Sequence, residues 1–275
     1  MSLRSLSLLP LFALAAPATA GDRLLVAGPD GFVMQADTDD GVFEYFACQC
    51  SGPIRALAAD EQHLYTADES GLMLVIDVES GAVENFLFPG IGQINALAAA
   101  GGELFAGTED GQVARLDPLS GQVLDGRLVP TSVHALFAHD GFLFAGGADG
   151  AIYRAPVAQG DFTYFTCFCF STIRAIVEDA DDLVIVDEFG IAARVSDESG
   201  EVLTAFFVGP TNVMAASDGR LLLYYDGGTI PLADAQTGQP LPGGFQSPIA
   251  VDAMLVIDER PQQKSPPVRR NPRKP

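Results

Sequence analysis

The chain repeats one motif six times. Each copy runs as an apolar strand, a turn with Asp and Gly, a second strand, another turn, a third strand, and then Ile/Val-x-Ala. The first begins RLLVAGPDGFVMQADTDDG and leads to PIRALAAD, and the last begins LLLYYDGGTIPLADAQTG and leads to AVDAMLVI. Ala56, Ala96, Ala135, Ala175, Ala215 and Ala253 mark the shared position at intervals of 38 to 40 residues. Short runs of β-branched or alternating apolar residues between Asp-Gly and Ser-Gly turns predict consecutive antiparallel strands. No stretch carries a helical apolar stripe longer than a turn or two. The fold class is therefore all-β.

A period near 40 with four strands per unit resembles a β-propeller of the WD40-like and quinoprotein-like kind. The resemblance covers Arg23 to Asp258 and rests on the D-x-x-S/T-G turns at Asp77–Gly81, Asp117–Gly121 and Asp234–Gly238, together with the Asp-Gly turns. The chain has no Trp, so the Trp-Asp signature of true WD40 repeats is missing. Quinoprotein repeats usually carry a Trp in each blade, and its absence argues against a quinone. Calling the strands of a blade A to D from the channel outward, the repeats begin at Arg23 with a B-type strand and end near Ile249–Ile257 with an A-type strand. Pairing that last strand into the first blade closes the ring. The expectation is a six-bladed β-propeller of four-stranded blades, closed by the C-terminal strand pairing into the N-terminal blade.

All four cysteines fall in two matching stretches, FACQCSGPIRALAAD from Phe46 and FTCFCFSTIRAIVED from Phe165, offset by 119 residues. Gly41, Phe43, Tyr45, Arg55 and Asp60 recur at that offset as Gly160, Phe162, Tyr164, Arg174 and Asp179. This looks like a duplicated three-blade half, which puts the two C-x-C pairs in opposite blades. The resemblance implies that these D-to-A connections lie on the face where propellers usually bind ligands. Two disulfides are the default in an oxidising compartment, with three connectivities possible: local bridges, Cys48 with Cys50 and Cys167 with Cys169, come first, and a cross-channel bridge would need both loops to lean over the mouth. In a regular strand residues i and i+2 are roughly 6.7 Å apart at Cα, near the upper limit for a bridge, so each pair needs a curl at Gln49 or Phe168. The alternative keeps the thiols reduced and convergent, holding Cu(I) or Zn(II) beside Arg55 and Arg174. No other cofactor is expected.

The residue before each repeated Ala is Arg55, Asn95, His134, Arg174, Met214 or Asp252. If this position lines the channel mouth, the six form a mixed polar ring suited to a ligand; otherwise they fill turns between blades. Phe168 and Phe170 offer an apolar contact beside Cys169.

Charge divides the chain. Between Gly21 and Asp258 stand 35 acidic residues, eight Arg and no Lys, a net of −27. Such a body repels nucleic acid and anionic membranes and suits cationic partners. Residues 259–275, ERPQQKSPPVRRNPRKP, carry six basic residues and five prolines, which predicts a disordered tail able to touch anionic envelope polymers. Residues 1–20, MSLRSLSLLPLFALAAPATA, have a positive start, an apolar run and a small-x-small end, the pattern of a secretory signal peptide cleaved near Ala20. No later apolar run reaches the roughly 18 residues of a membrane span. The expected organisation is a signal peptide (1–20), a propeller (21–258) and a basic tail (259–275), exported to the periplasm or beyond.

Catalytic signals are thin. There is no G-x-S-x-G, H-E-x-x-H, P-loop or C-x-x-C-H, and the carboxylates fall mainly in turns, where Asp bonds its own backbone. Of three histidines, His63 heads a strand and His139 is placed in a turn, leaving His134 as the acid–base candidate. The first reading is a module that binds a protein or small ligand at the channel mouth. The alternatives are a soft-metal or redox thiol protein, and a hydrolase or lyase with its site in the channel.

Overall fold

The computed structural model describes residues 22–49, 52–167, 171–211 and 213–258, and every regular element among them is a β-strand. Residues 1–21, 50, 51, 168–170, 212 and 259–275 lie outside the description. With them go the signal peptide and tail, Cys50 and Cys169, and the contact expected of Phe168 and Phe170.

The strands group four to a blade in six antiparallel sheets. Blade 1 contains β1 (Arg23–Ala27), β2 (Phe32–Asp37) and β3 (Glu44–Cys48). Blade 2 contains β4 (Ile54–Ala59), β5 (His63–Asp68), β6 (Met73–Asp77) and β7 (Val83–Leu87). Blade 3 contains β8 (Ile94–Ala100), β9 (Glu103–Thr108), β10 (Gln112–Leu116) and β11 (Val123–Leu128). Blade 4 contains β12 (Val133–His139), β13 (Phe142–Gly147), β14 (Ala151–Pro156) and β15 (Thr163–Cys167). Blade 5 contains β16 (Ile173–Asp179), β17 (Asp182–Asp187), β18 (Ile191–Ser196) and β19 (Val202–Phe207). Blade 6 contains β20 (Val213–Ser217), β21 (Arg220–Tyr224), β22 (Thr229–Asp234) and β23 (Pro240–Gln246). The last strand, β24 (Ala253–Ile257), completes blade 1 by pairing with β1, from Ala253 opposite Ala27 to Ile257 opposite Arg23. The innermost strands β24, β4, β8, β12, β16 and β20 contact one another in that order and back to the start.

The apolar runs explain why the sheets stack as a ring. In β1, Leu24 and Val26 pack against blade 6, whereas Leu25 and Ala27 pack against blade 2. In β17, Leu183 and Ile185 face blade 4, and Val184 and Val186 face blade 6. A strand buried on both faces reads as a continuous apolar run, and alternate side chains serve opposite neighbours. Six apolar clusters result, one at each junction between adjacent blades. At the junction of blades 4 and 5 a side chain is excluded: a Cβ on Gly146 would lie 2.6 Å from Ile173 Cγ2.

The turns follow the local code. Asp77 accepts hydrogen bonds from the Ser80 amide at 2.8 Å and its hydroxyl at 2.5 Å, while Gly81 turns back with φ of 71°. Asp117 with Ser120 and Asp234 with Thr237 repeat the arrangement. The hydroxyl bonds hold all three carboxyls below their ordinary range. A second set of contacts fastens blade to blade through arginines. Arg23 donates to Val78 O, Arg115 to Ala158 O, Arg127 to Pro156 O and Val157 O, and Arg154 to Asp197 O and Glu198 O.

Candidate functional site

The six residues expected to form a ring all line one cavity of about 530 Å³ at the mouth of the central channel. What brings four of them there is a β-bulge. On β4, Ile54 faces Asp68 and Ala56 faces Ala67, so Arg55 is an extra residue without a ladder partner. Asn95, His134 and Arg174 are the extra residues of β8, β12 and β16 in the same way. A bulge bends its strand and re-aims the unpaired side chain. Asp252 reaches the equivalent place just ahead of β24, its amide bonded to Ala27 O at 2.8 Å.

Met214 does not belong to this level. In blade 6 the described part of β20 pairs regularly with β21, and Met214 opposite Leu223 stands where Leu57 stands opposite Thr66. It is buried at 3% exposure among the side chains between blades 5 and 6. The polar ring therefore has five described members. Beneath it Leu57, Leu97, Leu136, Ile176, Met214 and Met254 border both the mouth and a deeper, mostly apolar cavity of about 340 Å³.

Ring residues are tied to acids of the neighbouring turns. Arg55 lies 3.5 Å from Glu69 and 3.2 Å from Asp252. Arg174 lies 3.4 Å from Glu188, and Asn95 donates to Glu109 at 2.8 Å. Burial pushes Asp252 up despite Arg55, and burial likewise pushes His134 down. Five of the other body arginines fasten or face neighbouring blades, and Arg194 is held by Asp179 and Asp182 within blade 5. The mouth is thus where two opposed arginines meet scattered acids on a strongly acidic molecule.

The family model described as outer membrane protein assembly factor BamB matches residues 9–206. The chain belongs to this family. Blade 6 lies beyond the matched residues. No curated protein matches the chain in sequence. Among solved structures, a chain of the nidogen–laminin complex superposes with a TM-score of 0.74 at 12% identity, covering 86% of this chain and 98% of that one. The WD40 β-propeller domain of Doa1 gives 0.64 at 14% identity, covering 86% and 83%. The computationally designed Ika8 protein gives 0.54 at 19%, covering 77% and 70%. At these identities the likeness is one of fold.

In this BamB-family propeller, Cys48 and Cys167 end β3 and β15, the outermost strands of blades 1 and 4. Neither is a free thiol. The next residue, Gln49, is buried: its Nε2 donates to Leu72 O at 3.1 Å, and its Oε1 accepts from Thr66 at 2.5 Å. That pins the blade 1 exit to blade 2. Around His134 the only hydrogen-bond partner among the described residues is Ser132 Oγ, 3.2 Å from Nε2, and no carboxylate stands within ion-pair distance. The histidines that do meet carboxylates are on the opposite face. His63 meets Asp60 and Glu84; His139, at the end of β12 rather than in the turn, meets Glu178, Asp197 and Asp140. Sequence reading missed these clusters because their members come from separate blades or from separate strands and turns of one blade.

Proposed function

We propose that the chain is an exported binding module that engages a protein partner through the mouth of its channel. The observation that carries this reading is the row of four bulges, which turns Arg55, Asn95, His134 and Arg174 out of the strand ladder toward one open cavity. Bulges are retained where a side chain must be re-aimed. The cavity is wide, polar at its rim and apolar below, which suits an inserted peptide loop bearing both a charge and an apolar tip. The family description, an outer membrane assembly factor, supports a protein partner and an exported location. So does the signal-like pattern of residues 1–20, and no helix of the described residues is long and apolar enough to cross a membrane. The acidic body favours a cationic partner, and the basic tail supplies a tether to anionic envelope polymers.

A photo-crosslinker in place of Asn95 tests the reading in producing cells. It should trap a discrete exported protein, and R55A/R174A should reduce that product at least tenfold. The rival surface is the outer edge, where Phe86, Phe88, Leu128 and Phe207 are exposed. A crosslinker at Leu128 that traps the partner while Asn95 traps nothing would sink the proposal.

Each C-x-C pair is proposed to close locally as a disulfide. Support comes from the absence of a free thiol at Cys48 and Cys167 and from their places on outer strands of opposite blades, which leaves a bridge across the ring out of reach. Non-reducing peptide mapping should find both local bridges. Free thiols with stoichiometric copper or zinc would replace this reading with the thiolate one.

A further inference from the structure

On the face opposite the mouth, one imidazole is surrounded by three carboxylates from two blades. His139 closes the inner strand β12 of blade 4, and Asp140 follows it in the turn. Glu178 is the penultimate residue of β16 in blade 5, and Asp197 lies in the turn after β18. The His139 side chain is 13% exposed. Glu178 Oε2 stands 3.1 Å from Nδ1, whereas Asp197 Oδ2 and Asp140 Oδ2 stand 3.4 Å and 3.8 Å from Nε2.

The two ring nitrogens therefore have different environments. The Nδ1 contact with Glu178 is 3.1 Å long, so a proton on Nδ1 faces that carboxylate and the Nε2 lone pair is then directed at two others. The Nε2 separations exceed the usual N–H···O range of roughly 2.7–3.2 Å. They suit instead the edges of a tetrahedron, which measure about 3.4 Å when each donor stands about 2.0–2.2 Å from a central ion. One donor atom from each of His139, Asp140 and Asp197 lies within 4.8 Å of the others. The turn that carries Asp197 is held from blade 4 by Arg154, whose Nη1 donates to Asp197 O at 3.0 Å and Glu198 O at 3.1 Å. Phe137 lies nearly parallel to the imidazole at an interplanar angle of 18°. A carboxylate on the far nitrogen of a metal-binding histidine is the usual outer support of such sites.

We propose that His139, Asp140 and Asp197 form a binding site for a divalent transition-metal ion of the zinc class, with Glu178 as the residue that orients the imidazole. One imidazole nitrogen and two carboxylate oxygens fit zinc and its neighbours better than calcium or magnesium, which favour all-oxygen shells. Three protein donors leave a fourth position for water or a partner's side chain, and Asp140 at the surface gives the ion a way in. The ion joins blades 4 and 5. The site is remote from the mouth and does not involve the cysteines, so its test is independent of the binding role proposed above.

The experiment is zinc titration of the full mature chain after chelator treatment, in 150 mM salt with millimolar magnesium to suppress diffuse binding to the acidic surface. Calorimetry gives the stoichiometry, and the imidazole nitrogen resonances locate the ion. One zinc per chain should bind with a large shift of His139 Nε2. D197N and H139Q should each weaken binding at least 100-fold, and E178Q by about 10- to 100-fold with an altered His139 tautomer. D140N changes an exposed residue and should weaken binding at least tenfold even if the buried variants fold poorly. Absence of one-site binding in the wild type overturns the proposal. So does an affinity unchanged in both D197N and D140N, or zinc binding that leaves the His139 resonances in place.

Discussion

His134 sits half-buried in the mouth with Ser132 Oγ as its hydrogen-bond partner, and burial lowers its pKa below the ordinary histidine value of 6.5. The unfolded chain therefore binds a proton at a pH where the folded chain does not. Its contribution is fully present above pH 6.5 and is lost as the pH falls toward the lowered folded value. In denaturant titrations at pH 7.5 and 5.5, the wild type should lose stability on acidification, and H134Q should lose less. An equal loss in both proteins would mean that other groups carry the effect. Asp252, raised by burial, acts in the opposite sense, favouring the fold at low pH. The wild-type-minus-variant difference isolates the histidine.

Bulges and bridging arginines do at the level of the element what single residues do at the mouth. On four inner strands a bulge breaks the ladder and re-aims one polar side chain to the mouth, where regular pairing would send alternate side chains toward neighbouring blades. In blade 6, Met214 lies at the apolar level with Leu57, Leu97, Leu136 and Ile176. Adjacent blades are further tied by Arg127, which is 6% exposed and donates to Pro156 O at 2.6 Å and Val157 O at 2.9 Å. Arg127→Met should fill the space but leave those carbonyls without their charged donor. A loss of about 2–3 kcal/mol is expected in chemical denaturation. A loss below about 0.5 kcal/mol would show that the clasp adds little beyond packing.

For the whole molecule, closure and charge oppose each other. Six interblade cores depend on an unbroken ring, and β24 is the strand that completes it by pairing with β1. A chain ending at Asp252 leaves Leu24, Leu25 and Val26 without their innermost neighbour strand and exposes a paired edge. It should lose cooperative thermal unfolding, read by circular dichroism and calorimetry, rather than melt a few degrees lower. Against closure works a net charge of −27 on residues 21–258, much of it in turns of the face opposite the mouth, including Asp179, Asp218, Asp234 and Asp258 around one cavity of about 740 Å³. Self-repulsion of this kind is screened by salt. The unfolding midpoint should rise between 20 and 300 mM sodium chloride.

The amino-acid sequence alone determined the all-β class, the six repeats and the closure, because a repeat near 40 residues with Asp-Gly punctuation admits few architectures. Five of the six ring residues were legible as well, from their place before the recurring alanine. Tertiary structure decided the rest. Aligning Ala215 with Ala56 puts Met214 beside Arg55, yet the ladder pairs Ala215 with Leu222 and Ala56 with Ala67. By pairing, Met214 stands level with Leu57 rather than with Arg55, and register is a property of pairing that composition does not record. The cluster around His139 was equally hidden, since its carboxylates come from two blades and meet only when the ring is closed. Cys48 and Cys167 end outermost strands of blades 1 and 4, as their matching contexts led one to expect.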